Sequence, residues 1–246
     1  MRIFINSYYG KQRKENNFSF LVGAHLKKIF PDVQQIVCDG FLEVCSRDKN
    51  NLTSSKDCNY CIKEQGLFTK WTKLEILNLS EYLDANAMSQ INELVFGYRV
   101  ETDQNNEYSS LYQSLLELEE FSKYKNKIFS TALSIHFALN KITSKLYPNI
   151  VVLSDSKDLI TRSMIFSLKK KNIKYVVFDY DENLQAIIAT RSNDQKIQKF
   201  DLVINDLLAI RSSQDSWPDE VTNILQSLVA FLGIKGTQLK LSLDFN

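Results

Sequence analysis

Short unbroken apolar runs alternate along this chain with longer stretches in which apolar residues return every three or four positions. The first run lies within Arg2 to Asn6 and reads as a buried strand. A polar loop, Ser7 to Asn17 with Gly10 among basic residues, separates it from Phe18, Leu21, Val22, Leu26 and Ile29, whose spacing predicts a helix ended by Phe30-Pro31. Gln34 to Cys38 predicts a second strand closed by the Asp39-Gly40 turn, so the first forty residues read as a βαβ unit with a parallel strand pair. The same rhythm returns later: Ile150 to Ser154 as strand, Ser156 to Lys171 as a helix capped by Ser156, and Tyr175 to Asp179 as strand.

Between these units, Cys38 to Gly66 is polar and irregular and reads as an inserted loop. Glu75 to Leu79 predicts a third strand, and Tyr82 to Phe96 and Leu111 to Tyr124 predict helices. Ile128, Ala132, Ile135, Leu139, Ile142 and Leu146 step by four and three, one apolar helical stripe that stops at Tyr147-Pro148. Leu184 to Ala189 and Phe200 to Ile204 add strands, and Asp219 to Leu232 closes as a helix between Pro218 and Gly233. The expectation is α/β: a single domain over 1–246, a Rossmann-like parallel sheet flanked by helices, with a cysteine-rich inserted loop at 38–66.

Composition narrows the partners. With 246 residues the chain can bury a full core, and 7 Gly and 3 Pro leave little material for linkers. Thirty Lys and Arg against 29 Asp and Glu give a net charge of +1, no electrostatic footprint for nucleic acid or an anionic membrane. The apolar runs fall well short of the roughly 20 residues of a transmembrane segment, and polar residues follow Met1 too soon for a signal-peptide core. A soluble, cytoplasmic protein is expected.

The cysteines carry the most specific chemistry. Cys38, Cys45, Cys58 and Cys61 fall within 24 residues as C-x6-C-x12-C-x2-C, and the other 222 residues contain none. Four thiolates, two of them from a C-x-x-C turn, supply the tetrahedral shell of a structural zinc ion or the ligands of an iron–sulfur cluster, zinc being the preferred reading. Arg47, Lys49, Lys56 and Lys63 stand nearby to offset thiolate charge. The alternative is four unligated thiols or two redox pairs, although a cytoplasmic compartment disfavours disulfides. Either way the segment sits beside the carboxyl end of the second strand, where open α/β sheets bind ligands, and this makes Asp39 and Gly40 candidate substrate-binding residues.

The string Cys38-Asp39-Gly40-Phe41-Leu42-Glu43-Val44-Cys45, followed by Cys58-Asn59-Tyr60-Cys61, resembles the N-terminal half of a group of bacterial surface-polysaccharide glycosyltransferases that carry C-D/N-G-x-L-x-x-C and then C-x-x-C. Pro148-Asn149-Ile150-Val151-Val152-Leu153-Ser154 is similar to that group's P-D-x-V-V-x-S strand, and Ile173 to Phe178 to the strand after the next helix. The resemblance implies a GT-B architecture of which this chain is the acceptor-side half. It implies transfer of sugar from a nucleotide-sugar donor to a polysaccharide or lipid-linked acceptor in capsule or lipopolysaccharide assembly. After Asn205 only one helix and a short tail follow, without a Gly-rich or Glu-containing donor stretch, so a separate donor-binding half or partner chain is implied as well.

Single residues extend these readings. His25, beside the stripe of the first helix, has the near-neutral intrinsic pKa of a general base for inverting transfer; the plainer alternative is a core histidine. His136 lies beside the later stripe and reads as structural. Ser154-Asp155-Ser156 falls where a strand enters a helix, a place that favours a phosphate or an acceptor hydroxyl, with Asp155 as a catalytic candidate and Ser154 and Ser156 as binding residues; the alternative is simple capping. Asp179 and Asp181 stand at i and i+2 on a strand end, a spacing that holds Mg²⁺ or Mn²⁺ against a diphosphate, the alternative being a charged turn. Asp179-Tyr180-Asp181 is similar to the D-x-D of GT-A glycosyltransferases, and Val177 to Asp181 to the nucleophile strand of haloacid-dehalogenase-like phosphatases, in which Gly-Thr follows where Glu182-Asn183 stands here. Two further functions therefore stay open: a metal-dependent phosphoryl or nucleotidyl enzyme, and a non-catalytic, metal-stabilised binding protein.

Overall fold

Runs buried on both faces become the interior strands of one sheet. In the computed structural model, which describes residues 1–6, 14–45, 55–96, 107–118, 121–200 and 219–233, β1 (Ile3–Asn6), β2 (Val33–Val37), β3 (Glu75–Asn78), β4 (Ile150–Ser154) and β5 (Tyr175–Asp181) pair in parallel. β6 (Ala186–Arg191) and β7 (Ile197–Phe200) add antiparallel, giving the order β3-β2-β1-β4-β5-β6-β7. The helices are α1 (Lys14–Ile29), α2 (Ser55–Thr72), α3 (Ala85–Phe96), α4 (Ser109–Leu115), α5 (Phe121–Leu146), α6 (Leu159–Lys170) and α7 (Asp219–Phe231). The sheet flanked by helices is the α/β, Rossmann-like arrangement expected from the sequence. The Ser7 to Arg13 loop, Arg47, Lys49 and the strand residues expected at 201–204 lie outside the described residues.

One stretch differs from its sequence reading. The second half of the 38–66 segment belongs to α2, the crossover helix between β2 and β3, so Cys58-x-x-Cys61 sits on a helix rather than in a loop turn. The C-x-x-C pair therefore occupies one helical face, one turn apart.

Alternation along each strand divides the core in two. Ile3, Ile5, Val152, Val176 and Phe178 pack against Phe18, Leu21, Val22 and Leu26 of α1 and Leu225 and Leu228 of α7. Phe4, Val151, Leu153 and Val177 face the opposite way, onto Ile135, Leu139 and Ile142 of α5 and Ile160, Met164 and Leu168 of α6. A third cluster joins α3 and α4 to the amino-terminal half of α5 through Ile91, Val95, Leu111, Leu115, Ile128 and Phe129. Each fully buried side chain of this kind stabilises the fold by roughly 1.5–3 kcal/mol. Phe18 meets Phe178 edge-to-face at 4.9 Å, and a Cβ on Gly23 would lie 3.0 Å from Ile5 Cδ1, so α1 is seated closely on β1. Among the described residues, no helix is long and apolar enough to cross a membrane.

A polar chain crosses the α5–α6 contact. His136 is 2% exposed; its Nδ1 lies 2.8 Å from Ser167 Oγ, whose own hydroxyl donates to the Ser163 carbonyl at 2.9 Å. Nδ1 therefore carries the proton, and Nε2 accepts from Asn140 Nδ2 at 2.8 Å. Tyr108, Phe137 and Phe166 surround the ring, and Lys170, paired with Glu107, lies over Tyr108 and Phe166. Burial, then the Lys170 charge, pulls His136 down to about 4; burial and then Lys28 do the same to His25.

Both histidines fold neutral while the unfolded chain titrates near the ordinary value of 6.5. Their contribution is complete above pH 6.5 and is lost as pH falls to about 4. We expect urea unfolding at pH 4.5 to show a loss of about 2–3 kcal/mol per histidine relative to pH 7, with one share absent in His136→Gln.

Candidate functional site

The strand order reverses between β1 and β4, with α1 leaving to one face and α6 to the other. Sheets of this kind take ligands outside the carboxyl ends of the two strands at such a reversal. Asn6 and Ser154 end the two strands and are fully buried. Ser154 Oγ donates to the Asn6 carbonyl at 3.3 Å, and the Ser154 carbonyl accepts from Thr161 Oγ1 at 2.6 Å, which ties the first turn of α6 to β4. Asn6 Nδ2 donates to the Ile36 carbonyl at 3.2 Å, while Asn6 Oδ1 is buried with no hydrogen-bond partner among the described residues. On the next strand Asp39 is alike: Oδ2 accepts from the Ser80 hydroxyl, and Oδ1 is buried with no such partner.

The β4–α6 connection departs from the expected helix start. Asp155 takes a left-handed conformation, φ 62°, its N–H donating to the Phe178 carbonyl at 2.8 Å and its Oδ1 accepting from Lys157 N–H at 3.2 Å. The resulting turn delays the helix to Leu159. Asp158, not Ser156, caps it, Oδ2 accepting from Ile160 N–H at 2.9 Å and Thr161 N–H at 3.4 Å. The helix terminus expected to favour a phosphate is thus already met by the chain's own carboxylate. Ser156 instead donates its backbone N–H to Asp179 Oδ1 at 2.6 Å.

The remaining candidates separate. Asp179 and Asp181 share one face of β5, but Asp181 Oδ1 accepts from Asn183 and Leu184 N–H at 2.9 and 3.0 Å and closes the β5–β6 hairpin. Each carboxylate has a local backbone donor. His25 is not brought to these strand ends: α1 runs back across the sheet, and eleven residues of helix from Lys14 carry it about 16 Å toward the amino edge.

The cysteines lie on two neighbouring segments, the one after β2 and the first turns of α2. Cys38 follows β2; burial pushes its thiol up to about 12, against the pull of Gly40 and Leu42 N–H groups directed at its sulfur, and Cys45 and Cys61 are close enough to add to the rise. Cys58 Cβ and Sγ lie 3.6 and 4.0 Å from where a Cβ on Gly40 would stand, and Gln65 Nε2 donates to Cys61 Sγ at 3.7 Å. None of the four is in a disulfide. Among the described residues, no three His, Cys, Asp or Glu side chains are set in coordinating positions.

Sequence reasoning missed Asn6, Ser80 and Asp158. A polar residue closing the apolar run Ile3 to Ile5 was the available signal for Asn6; Ser80 follows β3 with nothing in the sequence to link it to Asp39. Comparison with protein-family models, curated proteins and solved structures returned no match.

Asp158→Ala leaves two amide groups of α6 without their cap. A loss of about 1 kcal/mol in unfolding free energy is expected, read from the urea midpoint at constant m-value.

Proposed function

We propose that this chain is the acceptor-side half of a GT-B-type glycosyltransferase of surface polysaccharide assembly, and that the carboxyl edge of its sheet binds a hydroxyl-rich acceptor. The observation that carries this reading is the pair of buried oxygens, Asn6 Oδ1 and Asp39 Oδ1, at the carboxyl ends of neighbouring strands. A buried acceptor left unmade costs roughly 1–3 kcal/mol, so both oxygens call for a ligand that donates. Sugar hydroxyls donate, whereas the oxygens of an ionised phosphate only accept. The α6 terminus, where a phosphate would find N–H groups, is capped by Asp158.

In this reading Asn6 and Ser154 form the floor of the acceptor site. Asp39, one oxygen fixed by Ser80 and the other open, takes the proton of the attacking hydroxyl. Asp155, held beside these strand ends by its turn, is the second carboxylate within the site, and the donor nucleotide sugar comes from a separate half. The phosphoryl-enzyme reading has less support, because Asp179 and Asp181 both serve local backbone donors.

Saturation-transfer NMR and calorimetry with capsular or lipopolysaccharide oligosaccharides test this. Binding is expected to weaken tenfold or more in Asn6→Ala and in Asp39→Ala, about 1.4 kcal/mol or more each, and to be unchanged in Asp181→Asn. Nucleotide-sugar binding without any saccharide binding by the wild type sinks the assignment.

A further inference from the structure

We propose that Cys38, Cys45, Cys58 and Cys61 hold one zinc ion as thiolates, and that this ion clips α2 to the segment after β2 and so sets the Asp39–Gly40 turn. The sequence supplies four thiols; the fold sets donors beside two of them and Cys58 beside Gly40, while among the described residues no three ligating side chains yet stand in coordinating positions. Gly40 turns the chain with φ 87°, and the N–H groups of Gly40 and Leu42 are directed at the Cys38 sulfur. A third donor, the amide of Gln65, which is 3% exposed, is aimed at Cys61. A neutral thiol sulfur is a weak acceptor, so a buried amide spent on Cys61 is poorly used by a thiol and well used by a thiolate on a cation.

The two sides of the site are independently anchored. Leu42 is buried among the residues that cover the sheet and Val44 among those under α3 and α4, and Val44 N–H donates to Thr131 Oγ1 of α5 at 3.3 Å. Cys58 and Cys61 come from α2, with Cys58 alongside Gly40. Binding draws the sulfurs inward to tetrahedral positions and releases the thiol protons to solvent. Asp39, directly between Cys38 and Gly40, moves with the knuckle.

The test needs no sugar. The full chain is purified under reducing conditions and its zinc and iron are quantified; a second sample is loaded with cobalt and its visible spectrum recorded. About one zinc per chain and the intense visible bands of tetrahedral thiolate cobalt are expected, both lost in Cys58→Ser. Gln65→Ala, a change that removes a donor and no ligand, is expected to bind zinc 10–100-fold more weakly in competition with a chelator while keeping its far-ultraviolet circular dichroism. No zinc in supplemented wild type, iron–sulfur absorption, disulfides among the four cysteines after reduction-free purification, or unchanged zinc affinity in Gln65→Ala each overturns the proposal.

Discussion

β1 is four residues long, wholly buried, and bonded in parallel to β2 on one edge and β4 on the other. That double pairing fixes much of the rest. Because the chain leaves β1 toward one face and returns to β4 from the other, the carboxyl ends of these two strands are the place where no crossover covers the sheet. The residues that end them, Asn6 and Ser154, are consequently polar groups held in an apolar interior, which a fold tolerates only when they are bonded or kept for a ligand.

What gathers at that edge is chemically one-sided. The described side chains there present oxygens: the amide of Asn6 and the carboxylates of Asp39, Asp155 and Asp179. Several are committed to turns and caps, and this commitment separates structural acid groups from the two oxygens that have no partner among the described residues. The histidines stand apart from this chemistry. Both are buried and neutral at physiological pH, so their ordinary aptitude for proton transfer is spent on packing.

The strands were legible because β1, β4 and β5 are covered on both faces, which writes them as continuous apolar runs. Helix ends were legible for α5 and α6, which stop where the sequence reading put them, at Tyr147-Pro148 and Lys171, even though left-handed Tyr147 and Asn172 stand there instead of glycine. α2 was hidden by its polar, cysteine-bearing composition. The start of α6 offered two capping residues, Ser156 and Asp158, and only the left-handed turn at Asp155 selects between them. The site itself depends on strand order: Asn6 and Ser154 are 148 residues apart, and nothing local announces that they meet. For His25 the helix was visible, but its length put the residue at the wrong end of the sheet.

α5 belongs to two cores at once. Its carboxyl-terminal half lies on the sheet, and its amino-terminal half, through Ile128, Phe129 and Leu133, belongs to the outer cluster with α3 and α4. The outer helices are therefore tied to the sheet layer through α5 and through Leu159 and Phe166 of α6. Thr131 lies in α5, and its hydroxyl receives the Val44 N–H from the segment bearing Cys38 and Cys45. A shift of α5 against α3 and α4 would thus be felt through one hydrogen bond at the segment that carries Cys38 and Cys45.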